Sequence, residues 1–517
     1  MKYPIGIQNF ESLREDGYVY VDKTERIYQL VTNGKYFFLS RPRRFGKSLL
    51  VSTLKAYFEG KRDLFEGLAM ARLEQEWKKH PVLLLDLNSG QYDSTEALRE
   101  KLIHNLSCWE NIWNLKADAS QSVSSRFENV IRAAHKQSGQ KVVILVDEYD
   151  KPLLAAIDNP ELQDRFRSIL KAFYGNLKSC DEYIRFALLT GVTKFSHVSI
   201  FSDLNNLADI SLDGRYADLC GITSEELRLC FAPGIQALAD KEGVAFDEMM
   251  NQLRQMYDGY HFSEEMAKDI YNPFSVLNAL SEQQLRNYWF STGTPTFLIK
   301  LLREDDYPLR EFSTGDVTVK TLSSKESIID EPLALFYQTG YLTIKGYDRE
   351  FGSYRLGFPN REVEESFLNF LLPRYVGGTE NRSSFFIESF VRDLRKGDID
   401  CFMERMKSFF ADTPYELIKD LENHYQNVMF TVCRLMGYYT VAEYCTSHGR
   451  IDMVVKTSDY VYVFEFKFGK TEEEALRQID TKEYLLPFAA EGRHLIKVGV
   501  NFSRETRNID GYRYMKS

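Results

Sequence analysis

Ser40-Arg41-Pro42-Arg43-Arg44-Phe45-Gly46-Lys47-Ser48-Leu49 is the stretch on which the fold turns. An apolar run, Tyr36-Phe37-Phe38-Leu39, precedes it, and a helical pattern from Leu49 to Phe58 follows. Strand, loop, Gly-Lys-Ser and helix form the layout of a phosphate-binding loop. Such a loop uses backbone N–H groups at a helix N-terminus to hold phosphate oxygens. It also needs an ammonium for the β/γ-phosphates and a hydroxyl for Mg²⁺, and Lys47 and Ser48 stand at those places. Arg44, Phe45 and Gly46 complete the expected nucleotide-binding run. The general pattern G-x-x-x-x-G-K-[ST] has a glycine where this chain has Arg41. A Gly-Lys-Ser triplet by itself also fits an ordinary strand–helix turn.

A second stretch weighs against that bland reading. Val142-Val143-Ile144-Leu145-Val146 is followed by Asp147-Glu148-Tyr149-Asp150. A continuous apolar run is the mark of a strand buried on both faces, as in a parallel sheet. Its two leading carboxylates fall at the C-terminal end, where open α/β sheets bind ligands. Asp147 is expected to hold Mg²⁺, and Glu148 to polarise the attacking water. The competing reading is a buried strand that ends in a solvated acidic turn.

Ser-Arg-Pro-Arg-Arg-Phe-Gly-Lys-Ser-Leu together with Leu-Val-Asp-Glu-Tyr-Asp-Lys-Pro-Leu resembles the AAA-ATPase-like proteins that carry a C-terminal PD-(D/E)XK nuclease-type domain. Tyr3-Pro4-Ile5-Gly6-Ile7, Tyr20-Val21-Asp22-Lys23-Thr24, Tyr257-Asp258-Gly259-Tyr260 and Tyr271-Asn272-Pro273-Phe274-Ser275 fit the same family. The resemblance spans nearly the whole chain. It implies that Arg41 departs from the general loop pattern and not from the family's.

The chain has 517 residues, enough for two or three domains that each bury a core. Its 44% apolar and 14% aromatic content is that of a globular protein. The seven cysteines form no C-x-x-C pair, which argues against a zinc site or a disulfide framework. No signal-like segment opens the sequence, and no stretch reaches the roughly 18 apolar residues of a membrane span. A cytoplasmic protein with no membrane partner is therefore expected. The net charge of −10 requires any nucleic-acid surface to be a local basic patch.

Residues 1–35 read as a polar, Tyr-rich lead-in. Strands alternating with helices then predict a parallel sheet with helices on both faces. Thr190 closes a strand expected beside the loop, either as a polar sensor of the γ-phosphate or as a satisfied strand end. Arg165 and Arg167 either reach a nucleotide on another subunit of a homo-oligomer or form a solvated helix face. Residues from Thr223 to about Asn287 read as helices. A helix and hairpin between 331 and 375 suggest a winged-helix element.

The last 120 residues hold a second constellation. Gly449-Arg450-Ile451-Asp452 lies thirteen positions before Glu465-Phe466-Lys467. Alternation along a strand puts Val461, Val463, Glu465 and Lys467 on one face. Asp452 and Glu465 can form a hard, oxygen-only site for Mg²⁺ or Mn²⁺. Lys467 can orient or deprotonate water and stabilise phosphate charge. This resembles the PD-(D/E)XK core, and the resemblance implies that Gln478, opening a following helix, belongs to it. It also implies that Glu422 adds a metal-ligating carboxylate. The rival is an edge strand blunted by an exposed Glu/Lys pair. His424, His448 and His494 fit no metal spacing and read as surface or capping residues.

The expected fold is thus α/β. It comprises a P-loop NTPase sheet with flanking helices (1–222), a helical and winged-helix-like middle (223–383) and an α/β restriction-endonuclease-like domain (384–517). The expected function is ATP hydrolysis coupled to Mg²⁺-dependent nucleic-acid cleavage. The alternative is an ATP-dependent switch whose nuclease-like domain binds nucleic acid without cutting it.

Overall fold

The apolar runs at residues 36–40 and 142–147 become strands of one parallel sheet, on either side of a third. The computed structural model describes residues 1–116, 118, 120–194, 206–289, 316–318, 322, 332–376, 380–411, 421–437, 441–442, 445–446 and 449–516. The chain divides into two compact units. The first includes residues 1–289 and 332–363, and the second includes residues 364–516.

In the first unit the lead-in is helical, not irregular. It forms α1 (Phe10–Glu15) and α2 (Thr24–Asn33). The Asn9 side chain accepts from the Ser12 N–H at the start of α1, the usual work of an N-cap. Phe10, Leu13, Ile27, Leu30 and Val31 are the buried stripe that holds both helices down.

The chain continues through β1 (Tyr36–Ser40), α3 (Lys47–Phe58), β2 (Val82–Asp86), α4 (Thr95–Ile112), α5 (Val123–Ser138), β3 (Val142–Asp147), α6 (Pro160–Tyr174), β4 (Ile184–Gly191) and β5 (Ala208–Asp209). The strands pair in parallel in the order β2-β3-β4-β1-β5. Every residue of β1 and β3 is buried, as their unbroken apolar runs require. The register sets Leu39 opposite Thr190, so the strand that ends in Thr190 lies between the loop strand and the acidic strand.

Three helices follow: α7 (Ser224–Glu242), α8 (Phe246–Tyr257) and α9 (Pro273–Glu282). Thr223 and Glu226 close a capping box on α7, and the Asn272 side chain accepts from two N–H groups of α9. Leu227, Phe231, Leu253, Tyr257 and Val276 join in one core. Then α10 (Pro332–Thr339) leads into the antiparallel hairpin of β6 (Thr343–Asp348) and β7 (Ser353–Gly357), with Asp316–Thr318 as a third strand against β7. A helix followed by a hairpin is the arrangement expected of a winged-helix element. The rest of the Trp289-to-Gly293 signature lies outside the described residues.

The chain enters the second unit along α11 (Arg361–Val376). Two helices follow, α12 (Glu380–Lys396) and α13 (Ile399–Ala411), separated where Gly397 turns the chain with a φ of 78°. After α14 (Leu421–Met436), a five-stranded sheet forms from β8 (Val441–Ala442), β9 (Met453–Lys456), β10 (Tyr460–Phe468), β11 (His494–Ser503) and β12 (Asn508–Lys516), in that order. Only the β10–β11 pair is parallel, and α15 (Glu472–Thr481) makes that crossover.

The two faces of β10 bury different layers. Val461 and Val463 pack with Leu476, Ile479 and Tyr484 beneath α15. On the other face Phe464 meets Phe402 of α13, with ring centroids 5.6 Å apart. There too the Tyr462 hydroxyl donates to the Leu394 carbonyl of α12. The strand is central in its sheet, so the edge-strand reading of its Glu/Lys pair does not hold.

Candidate active sites

The first site grows from the loop between β1 and α3. Gly46 adopts φ 93° at the start of α3, a conformation that favours glycine. Lys47 is buried. Its Nζ donates to the carbonyls of Arg41 (3.1 Å) and Pro42 (3.2 Å) and lies 3.5 Å from a Glu148 carboxylate oxygen. The Ser48 hydroxyl donates to Asp147, which also accepts from the Thr190 hydroxyl at 2.6 Å. Burial pushes the Asp147 carboxyl above its usual range. Sequence reasoning left Thr190 open between two readings; the structure bonds it to the carboxylate expected to hold Mg²⁺.

Glu148 sits at φ 55°, inside a turn that the following residues hold firm. Tyr149 N–H donates to the Thr190 carbonyl, and Lys151 N–H to the Glu148 carbonyl. Asp150 is fully buried and accepts from the N–H groups of Val192 and Thr193 and from the Thr193 hydroxyl. Asp150 was not singled out from the sequence, although its place in the Asp-Glu-Tyr-Asp run was visible.

The three loop arginines part ways. Arg41 is 1% exposed, and its guanidinium donates to the carbonyls of Ser40, Ser211 and Tyr216 while lying 4.2 Å from the Phe262 ring centroid. It thus ties the loop to the segment after β5 and is spent on that task. Arg44 stacks on the Phe274 ring at 3.7 Å. Arg43 is exposed. Phe45 is buried against Tyr260 and Phe262, with ring centroids 4.8 and 5.4 Å away, and its carbonyl accepts from Gly221 N–H. The Tyr257-to-Tyr260 and Tyr271-to-Ser275 stretches, to which no chemistry was attached, therefore brace the loop.

Above the loop opens a cavity of about 510 Å³. Arg43, Arg44, Lys47, Ser48, Glu148 and Lys151 line its charged part, and Ile5, Ile7, Val21, Ile27, Phe231 and Phe274 its apolar part. Arg167 bonds within its own helix, to Asp164 and Gln163.

The second site lies at the end of β10. Glu465 is 2% exposed and Lys467 Nζ is 2.7 Å from its Oε1. The same ammonium donates to Gln478 Oε1 at 2.6 Å. Asp452 Oδ2 accepts from the Phe466 N–H at 2.9 Å, which brings its carboxyl against that of Glu465. Burial and the Asp452 charge push the Glu465 carboxyl up to about 7. Its Oε2 has no hydrogen-bond partner among the described residues.

Gln478 is the seventh residue of α15 and does not open it; the helix starts at Glu472, after the Thr471 cap. The side chain of Glu422 lies outside the described residues, although its backbone belongs to α14. Among the described residues no three His, Cys, Asp or Glu side chains gather as a metal set, so the described carboxylates here are a pair. His424 is buried, not a surface residue, and burial pushes its imidazole down to about 4. His448 lies outside the described residues.

Among the described residues no helix is long and apolar enough to cross a membrane. Family models described as predicted AAA-ATPase and PD-(D/E)XK nuclease superfamily match residues 4–201 and 420–511. An uncharacterized protein from the vnfD 5′ region of Azotobacter chroococcum mcd 1 is 37% identical over 539 aligned residues, covering 99% of this chain and 98% of the relative. Two solved structures also align with 66% of this chain. Cdc6p from Pyrobaculum aerophilum does so at 10% identity and a TM-score of 0.27, over 89% of its own length. The Aeropyrum pernix Orc1 protein, solved in complex with DNA, does so at 11% identity and 0.24, over 91% of its length.

Proposed function

The chain belongs to the AAA-ATPase-like family with a C-terminal PD-(D/E)XK nuclease superfamily domain, and we propose that it hydrolyses ATP and couples this to divalent-metal-dependent cleavage of nucleic acid. The observation that carries the reading is the pairing of two carboxyls, the exposed Asp452 and the buried Glu465, with one ammonium beside them. Carboxylates held together repel, most strongly where one of them is buried, and a hard cation relieves that repulsion.

The residues of both sites fit Mg²⁺. In the first unit Ser48 and Asp147 would hold it, and there the ion neutralises charge on the phosphates. In the second unit Asp452 and Glu465 would hold it, with Glu422 as the further carboxylate and Mn²⁺ as an alternative ion. Lys47 binds the β/γ-phosphates by exchanging its carbonyl partners for phosphate oxygens. Arg44, Phe45 and Gly46 shape the loop that receives them. Glu148 polarises the attacking water. The apolar part of the cavity takes the base, against Ile5, Val21 and Phe274. Lys467 and Gln478 position water and phosphate beside the metal site.

We keep 1–222, 223–383 and 384–517 as functional divisions: ATPase, lid with winged-helix element, and nuclease. Cytoplasmic location and assembly into a homo-oligomer belong to the same proposal. The test is ATP turnover and cleavage of single- and double-stranded DNA and RNA, with Mg²⁺ or Mn²⁺ and an EDTA control. Cleavage that depends on metal and Asp452 supports the reading. ATP turnover with no cleavage of any substrate turns it toward an ATP-driven switch.

A further inference from the structure

Cations that reach a nucleotide must be free to leave their resting partners. Arg41 is not free: three backbone carbonyls hold it in the core. Arg44 is committed to the Phe274 ring. Lys23 lines the cavity too, but Glu226 holds its Nζ at 2.6 Å. Lys47 serves the phosphates from the loop side. Lys151 differs from all of these. It lines the cavity, is half-buried, and among the described residues its Nζ has neither an ion-pair partner nor a hydrogen-bond acceptor.

Its backbone is rigidly placed. Lys151 N–H donates to Glu148 O at 3.0 Å, and Asp150, one residue earlier, is pinned by Val192 and Thr193. The turn that sets Glu148 therefore also sets Lys151. Arg43 is the other free cation at the cavity, but it shares the loop with Lys47 and approaches from the same side. Transfer of a γ-phosphoryl group spreads negative charge over its oxygens, and a second cation from the acidic-strand side stabilises that charge.

We infer that Lys151 is a catalytic residue of the ATPase, contacting the γ-phosphoryl group from the strand side opposite Lys47. This rests on the ATPase reading above. Water attacks the γ-phosphorus as its proton passes to Glu148, the bond to the β–γ bridging oxygen breaks with its electron pair going to ADP, and phosphate leaves; Lys151 takes no part in the proton transfer.

The test compares wild type, Lys151→Ala, Lys151→Arg and Lys47→Ala by ADP affinity, ATP affinity and turnover. Lys151→Ala should lower kcat by about 100-fold, weaken ATP binding and leave ADP affinity unchanged. Unchanged ADP affinity also reports an intact fold. Lys151→Arg should recover part of the turnover, and Lys47→Ala should weaken both nucleotides. If Lys151→Ala matched wild type in turnover, or lost ADP and ATP affinity equally, the assignment to the γ-phosphoryl group would fall while the ATPase reading stood. A wild-type protein that bound neither nucleotide would overturn both.

Discussion

The two sites arrange their polar groups in opposite ways. At the first site Lys47 rests on two carbonyls, and Ser48 and Thr190 both donate to Asp147. At the second, two carboxyls are held together, and Glu465 Oε2 is buried without a partner among the described residues. A site whose ligand comes and goes with each turnover can afford no large penalty when empty. A site built around a resident cation carries a standing electrostatic strain that the ion relieves. On the proposed function, the paired groups of the first site suit exchange and the frustrated pair of the second suits retention.

The largest expected effect breaks the second half of this comparison. Asp452→Ala leaves one carboxylate where two are needed, and cleavage should fall by at least about 100-fold, with the circular dichroism spectrum unchanged. Lys467→Ala should lose turnover but keep much of its Mn²⁺ binding, measured by titration, because a protonated ammonium is no ligand.

The next breaks the first half. Glu148→Gln keeps shape and loses the base, so nucleotide affinity should hold while ATP turnover falls by about 100-fold or more. Equal loss of affinity and turnover would mean that Glu148 only braces Lys47.

A third variant sharpens the contrast through stability. Arg41→Gly restores the general loop pattern, yet it strips donors from three buried carbonyls. It should cost about 3 kcal/mol in denaturant unfolding. A variant as stable as wild type would show that those carbonyls find other donors.

The smallest effect concerns a buried carboxyl strained by burial alone. Glu362 is fully buried, accepts from the N–H groups of Tyr288 and Trp289, and burial pushes it from about 4.5 up to about 7. Between those values the folded chain keeps a proton that the unfolded chain has lost, so stability falls as pH rises through that window. Glu362→Gln cannot ionise. Its melting temperature should drop less than that of wild type between pH 5 and pH 8, by a few degrees.

What could be read in advance follows from range. The strand–loop–helix at residues 36–58, the acidic strand and the Glu-x-Lys strand are local patterns, and local patterns survive in a single sequence. The break at Gly397 and the Asn9 cap on the first helix were local too, but short and weak. Arg41 was opaque for another reason: its partners Ser211 and Tyr216 stand 170 and 175 residues along the chain. Phe45 was opaque likewise, since Tyr260 and Phe262 meet it only after the middle helices fold back. The central position of the Glu465 strand needed a partner strand on each side, and the final strand, Asn508–Lys516, went unread.

That long tether has a consequence for synthesis. A ribosome finishes Lys47 and Ser48 well before Ser211 and Tyr216 emerge, and until then the Arg41 guanidinium keeps its water. The loop gains these two anchors only after the segment beyond β5 arrives. A fragment ended at residue 201, where the AAA-ATPase match stops, would carry every residue of the phosphate loop and lack two of the three carbonyls that seat its arginine.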